Sequence, residues 1–155
     1  MRQINTRNDF GSLAQDFYIF GIGAEIGVAG GNFSRLISES WKGTILCVDI
    51  NEMNLTGEPF KMMQGYSVKV AKQIKDESLD WVYIDAGHYY EDIKNDYYAW
   101  YPKVRSGGLV AGHDYGDNEF DVKRFIDELD IKVNLTTKDI INGTYYDTWY
   151  FEKCQ

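Results

Sequence analysis

The chain has 155 residues, of which 44% are hydrophobic and 26% are charged, and its formal net charge is −8. This length and composition predict one globular domain over residues 1–155 with a packed core. The negative charge, without a block of Lys or Arg, disfavours nucleic acid as a partner, and no apolar run reaches the roughly 20 residues of a membrane helix.

Residues 1–18 are polar and weakly patterned, which predicts irregular structure or a short helix. Apolar runs typical of buried strands then alternate with residues at helical spacing. The predicted strands are "YIFGIGAEIGV" (18–28), "TILCVDI" (44–50), "KMMQGYS" (61–67), "DWVYIDA" (80–86) and "GGLVAGH" (107–113). Helices are predicted around 33–41, 70–74, 90–104 and 122–129. In the third of these, Glu91, Asp92 and Asp96 are expected to be acids favoured by the helix dipole and on a solvated face.

Two further strands, "IKVNLTT" (131–137) and "DTWYFEK" (147–153), have no helix between them and predict an antiparallel hairpin. The alternation before them predicts an α/β fold, a doubly wound and mostly parallel sheet with helices on both faces. Ligands of such sheets bind at the carboxyl ends of the strands, near the point where strand order reverses.

A glycine-rich turn follows the first strand. Gly21, Gly23 and Gly27 spell GxGxxxG, a weak nicotinamide-type signal on its own. Gly27, Gly30 and Gly31 would let the backbone turn tightly and approach a ligand, and the next helix would offer free N–H groups to an anion. A turn without a ligand is the alternative.

Asp49 follows Gly27 by 22 residues, at the end of the second strand. In doubly wound folds an acidic residue about 20 residues past the glycine turn accepts both ribose hydroxyls. An adenosine cofactor without a 2′-phosphate is therefore expected.

The chain has two histidines, and each stands near an aspartate at the end of an apolar run. Asp85 and His88 follow the fourth strand, and His113-Asp114 follow the fifth. If these strands are neighbours, the four side chains converge at one edge of the pocket. The alternative is that they cap turns and a helix.

The segments "AEIGVAGGNFS" (24–34), "CVDI" (47–50), "GYS" (65–67) and "LDWVYIDAGHYYEDIKNDYYAWYPKVRSGGLVAGHDY" (79–115) together resemble the class I S-adenosylmethionine-dependent methyltransferases, closest to the macrocin-type and catechol-type small-molecule O-methyltransferases. The resemblance implies a Rossmann-like, shortened methyltransferase fold. It implies that S-adenosylmethionine is held by Glu25, Gly27, Gly30, Gly31, Asp49, Ile50, Ser67 and Asp85.

Within that resemblance, Glu25 and the glycine turn hold the methionine portion, Asp49 the ribose, and Ser67 the adenine. Asp85, His113 and Asp114 form a site for Mg²⁺ or Mn²⁺, although metal-dependent members carry an acidic pair or Asp-Asn where this chain has His113-Asp114. Both residues of that pair can bind one ion only if the fifth strand ends at Gly112, because neighbouring strand residues point to opposite faces.

Two further departures concern the cofactor. Only 11 residues separate Asp49 from Lys61, so the usual helix there is shortened or missing. Few residues precede the first strand, so the usual N-terminal lid helices are largely absent.

Methyl transfer from a sulfonium requires an oxygen nucleophile to be positioned and its proton removed. We assign His88 as the general base, because an ordinary imidazole titrates near pH 6.5, and we count Asp85 with it as a catalytic residue that orients the hydroxyl through the metal. The expected acceptor is a hydroxyl of a small molecule or sugar.

The alternatives are a nicotinamide-dependent oxidoreductase and a non-catalytic cofactor-binding domain. The chain is expected to be cytoplasmic, since its two cysteines make no disulfide framework. A homodimer is expected, because a lid-poor core with many tyrosines leaves a surface for a second copy.

Overall fold

The computed structural model describes residues 1–17, 21–116, 120–141 and 143–154. Its strands are β1 Ile22–Ile26, β2 Thr44–Asp49, β3 Phe60–Gln64, β4 Leu79–Ile84, β5 Val104–Gly112, β6 Asn134–Leu135, β7 Ile140–Ile141, β8 Thr144–Tyr145 and β9 Trp149–Glu152. Its helices are α1 Phe10–Phe17, α2 Asn32–Ser40, α3 Ser67–Ala71, α4 Tyr90–Trp100 and α5 Val122–Glu128, with short 3₁₀ turns at Arg7–Asp9 and Tyr101–Lys103.

Among the described residues, seven strands form one sheet in the order β3-β2-β1-β4-β5-β9-β6. Strands β1 to β5 are parallel, β9 is antiparallel to β5, and β6 is antiparallel to β9. The predicted doubly wound sheet with a closing antiparallel pair is confirmed. Strand order reverses at β1, which lies between β2 and β4, so the tips of these three strands mark the expected ligand crevice.

Helices cover both faces of the sheet. Neighbouring residues of its central strand point to opposite sides, and both sides of this strand are therefore buried. In β4, Trp81 and Tyr83 pack in the core beneath α1 and α2. Val82 and Ile84 belong to the core beneath α3, α4 and α5. This arrangement explains why β4 reads as one continuous apolar run.

The N-terminal segment contributes to the core through the short helix α1. Phe10 is fully buried and meets the rings of Trp81 and Tyr83 edge-on, at centroid distances of 5.3 and 4.9 Å. Burial of one such ring stabilises the fold by roughly 1.5–3 kcal/mol. The 3₁₀ turn before α1 is thereby fixed beside the carboxyl edge of the sheet. Residues 18–20, which the first predicted strand included, lie outside the described residues.

Three differences from the sequence predictions have local causes. Helix α4 ends at Trp100 and Val104 begins β5, because Pro102 lacks the N–H that a continuing helix needs. The connection before β9 contains the unpredicted hairpin β7–β8. Asp96 on α4, predicted to lie on a solvated face, is only 6% exposed.

Residues 50–59 are all described and contain no helix, as the short spacing after β2 implied. Within the described part of the chain, none of the helices has the length and apolar character needed to cross a membrane.

Candidate active site

A cleft of about 1210 Å³ opens at the carboxyl ends of β1, β2 and β4, where strand order reverses. The predicted cofactor residues that line it are Glu25, Gly27, Gly30, Asp49, Ile50, Ser67 and Asp85, joined by the predicted base His88. The residues predicted from the sequence therefore line one cavity in the structure. Whether they hold a cofactor there stays a prediction.

The glycine turn after β1 needs glycine at two positions for backbone reasons. Gly27 has φ +86°, and an added Cβ would lie 2.1 Å from the carbonyl oxygen of Asp85. Gly31 has φ +76°, and its Cβ would lie 2.8 Å from the side chain of Leu55, so Gly31 packs behind the cleft. A Cβ on Gly30 would meet nothing within 4 Å. Protein packing does not require glycine there, and its bare backbone leaves room for a ligand.

Asp49 at the tip of β2 ties the glycine turn to the sheet. Its Oδ2 accepts hydrogen bonds from the N–H groups of Val28 and Ala29, at 3.0 and 2.9 Å. Its Oδ1 accepts from the backbone N–H of Asn51 at 2.9 Å and, more weakly, from the Asn51 amide at 3.3 Å. Burial opposes ionisation, but these N–H bonds outweigh it and lower the pKa of Asp49. The group is therefore a carboxylate at neutral pH.

Glu25 lies at the floor of the cleft and is 1% exposed. The Ser34 hydroxyl donates a hydrogen bond to its Oε2, and the Cys47 thiol lies 3.5 Å from Ser34 Oγ. Burial raises the pKa of Glu25 to about 8, although the Ser34 bond and the charge of Arg7 oppose the shift. The carboxyl is thus mostly protonated at neutral pH.

A chain of hydrogen bonds closes the other end of the cleft, where the adenine was predicted. The indole Nε1 of Trp100 donates to Ser67 Oγ at 2.7 Å, and Ser67 in turn bonds the Asp96 carboxyl. Burial raises the pKa of Asp96 to about 6, against the effect of the Ser67 bond. Asp96 lines the cleft and is a polar group that the sequence reading did not assign to the site.

The two histidines and two aspartates after β4 and β5 do converge. His88 Nε2 lies 2.9 Å from Asp114 Oδ2 and 3.7 Å from Asp85 Oδ1. His113 Nδ1 lies 3.0 Å from Asp114 Oδ1 and 3.8 Å from Asp85 Oδ1. We call these four residues the Asp–His cluster.

The backbone after β5 explains how His113 and Asp114 reach the same place. Strand β5 ends at Gly112, and Asp114 adopts φ +62°, so the strand alternation no longer applies. The geometric condition stated for a shared metal site is therefore met. Positive φ is uncommon for Asp and usually marks a turn held by its surroundings.

Charge within the Asp–His cluster is strongly coupled. Hydrogen bonds to Asp114 and then Asp85 raise the pKa of His88 to about 10, despite partial burial. Burial would raise the pKa of Asp114, but the bonds from His113 and His88 hold it well below the usual range. At neutral pH His88 is therefore an imidazolium that donates to Asp114, and the ordinary value on which its assignment as base depended does not apply to this arrangement.

Arg7, on the first 3₁₀ turn, also belongs to this site and was missed by the sequence reading. Its Nη2 bonds Asp85 Oδ2 at 2.9 Å, and its Nη1 lies 3.5 Å from His113 Nδ1. The guanidinium stacks over Phe33, 4.1 Å from the ring centroid. The pattern Thr6-x-x-Asp9 marks a helical turn in the sequence, but nothing local indicates that the turn docks beside Asp85.

The donor set of the Asp–His cluster fits a divalent ion. Asp85, His113 and Asp114 each offer a ligand atom, and these atoms lie within 4.8 Å of one another. Two carboxylates with one imidazole suit Mg²⁺ or Mn²⁺ better than a soft metal. The complication is that Arg7 already neutralises Asp85 in this structure.

The sheet order, the crevice at the switch point and the polar strand tips define an α/β fold of the nucleotide-cofactor type. A model of the methyltransferase domain family matches residues 24–115, more than half of the chain. The chain therefore belongs to this family, and its resemblance to the class I S-adenosylmethionine-dependent methyltransferases is confirmed.

Solved structures at low sequence identity share the fold. The methyltransferase MycE of the mycinamycin biosynthetic pathway, solved with Mg, S-adenosylhomocysteine and mycinamycin VI, is 18% identical, with a TM-score of 0.64 over 93% of this chain and 48% of its own. The 1,6-didemethyltoxoflavin-N1-methyltransferase of Burkholderia thailandensis is 11% identical, with a TM-score of 0.71 over 96% of this chain and 78% of its own. A candidate rRNA methylase of Clostridium thermocellum is 15% identical, with a TM-score of 0.71 over 100% and 99%.

A curated relative matches part of the chain more closely in sequence. The uncharacterised protein y4gI of Sinorhizobium fredii is 39% identical over 54 residues. The match spans 35% of this chain and only 6% of that longer protein. This chain thus corresponds to a small part of that relative and to about half of MycE.

Proposed function

We propose that the protein transfers the methyl group of S-adenosylmethionine to a hydroxyl of a small molecule or sugar. The observation that carries this proposal is the position of the Asp–His cluster, with Asp85 and His88 on the wall of the cleft. A cofactor in the cleft would place its reactive end beside groups that can orient a hydroxyl and take its proton. Membership of the methyltransferase domain family favours this reaction over nicotinamide-dependent oxidation or cofactor binding without catalysis.

The cleft offers suitable partners along the length of S-adenosylmethionine. Glu25 and the backbone of Gly30 would meet the methionine portion, and Asp49 the ribose. Four hydrogen bonds from the described residues already fill the Asp49 carboxylate, so one ribose hydroxyl would replace the longest of them, from the Asn51 amide at 3.3 Å. The Asp49 carboxylate otherwise has room for few further donors.

The adenine end has an unused acceptor. Ser67 Oγ already receives the Trp100 N–H and bonds the Asp96 carboxyl, which leaves one lone pair for the adenine amino group. The exposed side chains of Tyr66 and Ile50 line the mouth of the cleft near it. Both are accessible because no helix lies between β2 and β3.

The acceptor would lie against the Asp–His cluster, where aromatic rings flank both histidines. Phe120 stacks on His88 at a centroid distance of 4.4 Å, and Tyr146 lies parallel to His113 at 6.4 Å. Flat faces of this kind suit a ring-shaped acceptor. MycE, which shares the fold, was solved with the macrolide mycinamycin VI.

We retain His88 as the proposed base on one condition. An imidazolium cannot accept a proton, so His88 would act as a base only after Asp85 and Asp114 cease to stabilise its protonated form. A divalent ion on Asp85, His113 and Asp114 would supply Lewis-acid activation of the acceptor hydroxyl. MycE was solved with Mg, which supports this part of the proposal.

Other sequence predictions remain untested by these observations. They are the single domain over residues 1–155, a cytoplasmic location, a homodimer, and the absence of nucleic acid among the partners. The fold is shared with an N-methyltransferase and a candidate rRNA methylase, so the acceptor class needs direct measurement.

The test has two stages. Calorimetry with S-adenosylhomocysteine and with NAD identifies the cofactor, and NAD binding alone would contradict the proposal. Transfer of a labelled methyl group is then measured on hydroxylated small molecules and sugars, with ring N–H compounds and RNA in parallel. Transfer to nitrogen or to RNA without transfer to a hydroxyl would show that the acceptor class is wrong.

A further inference from the structure

Arg7 holds a position that a metal ion would also need. Its guanidinium bonds Asp85 at 2.9 Å and approaches His113 Nδ1 to 3.5 Å. Nδ1 is the ring nitrogen of His113 that faces both aspartates. Two of the three candidate metal ligands therefore face the Arg7 cation already.

Arg7 is held in place by its backbone and its surroundings. Both carboxylate oxygens of Asp139 accept the Arg7 backbone N–H, at 2.9 and 3.1 Å. The side chain is 26% exposed, packs on the Phe33 ring, and has a buried Nε without a hydrogen-bond partner among the described residues. A surface arginine can separate from its ion-pair partner at little cost in stability, and the partly buried, packed side chain of Arg7 differs from it in this respect.

A dication at these ligands would stand only a few ångströms from the guanidinium. Like charges at that distance in a partly buried site repel strongly. The metal would use Asp85 Oδ1, the oxygen that faces His113, while Arg7 bonds the other oxygen of the same carboxylate, Oδ2. Both cations would therefore compete for the single negative charge of Asp85.

We propose that Arg7 and a divalent cation are alternative occupants of the pocket formed by Asp85, His113 and Asp114, so that Arg7 sets the affinity of the protein for the metal. This inference rests on the metal site of the proposed function, but it does not depend on the methyl acceptor. Without metal, Arg7 neutralises Asp85. When metal binds, the guanidinium leaves Asp85.

The test measures Mn²⁺ binding to chelator-treated protein, by the loss of the electron paramagnetic resonance signal of free Mn²⁺. We expect Arg7→Met to bind Mn²⁺ at least about tenfold more tightly than the wild type, because a fixed positive charge is removed from the site. Arg2→Met is the matched control, since Arg2 pairs with Asp16 at 2.8 Å on the surface. It should bind Mn²⁺ like the wild type.

Two further variants keep the result decisive. Adding Asp85→Asn to Arg7→Met should remove the gain, which assigns the metal to this pocket. If Arg7→Met does not fold, Asp139→Asn loosens the turn that carries Arg7 and should raise Mn²⁺ affinity by a smaller factor. Unchanged or weaker Mn²⁺ binding on loss of Arg7, or a gain that survives Asp85→Asn, would overturn the inference. Because no methyl transfer is measured, a failure here is distinct from a failure of the proposed reaction.

Discussion

Replacement of Glu25 by Gln tests the electrostatics of the cleft floor most directly. Glu25 is 1% exposed, and burial raises its pKa from 4.5 to about 8. The charges of Arg7, Asp85 and Asp49 act on it from the surrounding elements, the first lowering and the others raising its pKa. Glu25→Gln keeps an acceptor for the Ser34 hydroxyl and removes the ionisable proton.

The sign of the effect follows from proton binding by the two states. The folded pKa lies above the unfolded one, so between pH 4.5 and about 8 the folded protein holds a proton that the unfolded chain has released. Stability from this group therefore falls as pH rises through that window, by about 1.4 kcal/mol per pH unit. At pH 7 Glu25→Gln should be more stable than the wild type by about 3 kcal/mol, and near pH 4 the two should be alike.

Urea unfolding of both proteins between pH 4 and pH 8 measures this difference. Glu39→Gln, which removes an exposed acid of α2, controls for the loss of one negative charge. A free-energy difference between wild type and Glu25→Gln that does not change with pH would refute the burial argument.

Cofactor binding gives a second readout of the same group. At pH 7 a carboxyl with a pKa of about 8 is roughly nine-tenths protonated. If Glu25 pairs with the ammonium of S-adenosylhomocysteine, binding should release close to one proton. Calorimetry in buffers of different ionisation enthalpy counts that proton, and Glu25→Gln should abolish the release. Binding without proton release would mean that Glu25 stays neutral and does not hold the ammonium.

Three further changes probe the rest of the cleft. Asp49→Ala should weaken S-adenosylhomocysteine binding by a few kcal/mol in calorimetry, since it removes charge-assisted bonds to the ribose, and unchanged affinity would reject that role. Ser67→Ala leaves the Trp100 N–H without its acceptor and Asp96 without its donor. Urea unfolding should therefore show a free energy of unfolding lower by about 1–3 kcal/mol. His88→Gln should reduce turnover by about 10²–10⁴ if His88 is the base. The pKa of His88 is about 10 in the folded protein and ordinarily 6.5. The loss of stability in His88→Gln should therefore be largest below pH 6.5 and should vanish as the pH rises through 10. A loss of stability that does not change with pH would contradict the pairing of His88 with Asp114.

The sheet was predictable because its signals are local. Each parallel strand is a short apolar run, and the Gly27 turn and the polar ends at Asp49 and Asp85 follow from the neighbouring residues. Convergence of the Asp–His cluster followed from one topological rule, that the carboxyl ends of parallel strands share an edge. The pKa of His88 did not follow, because it depends on distances that strand order leaves open.

Asp96 and Arg7 were missed for different reasons. Asp96 follows Ile93 by three positions and precedes Trp100 by four, so helical spacing already puts it on the buried face. The prediction that Asp96 is solvated gave too much weight to its charge. Arg7 meets Asp85 across 78 positions of sequence. Its docking depends on the burial of Phe10 and on the Asp139 contact, and neither is written in the residues around it.

The position of Arg7 and the raised pKa of His88 together explain the charge balance of the Asp–His cluster. Arg7 and the protonated His88 supply two positive charges to Asp85 and Asp114, so the partly buried carboxylates are neutralised without a metal. Removing water from unpaired carboxylates is strongly unfavourable, which explains why each of them has a cationic partner. On the inference drawn above, a dication that enters this cluster would displace the guanidinium of Arg7 from Asp85. The charge of the dication would also favour loss of the extra proton of His88, which is the change that His88 would need in order to act as a base, so the proposed metal, Arg7 and His88 would be linked.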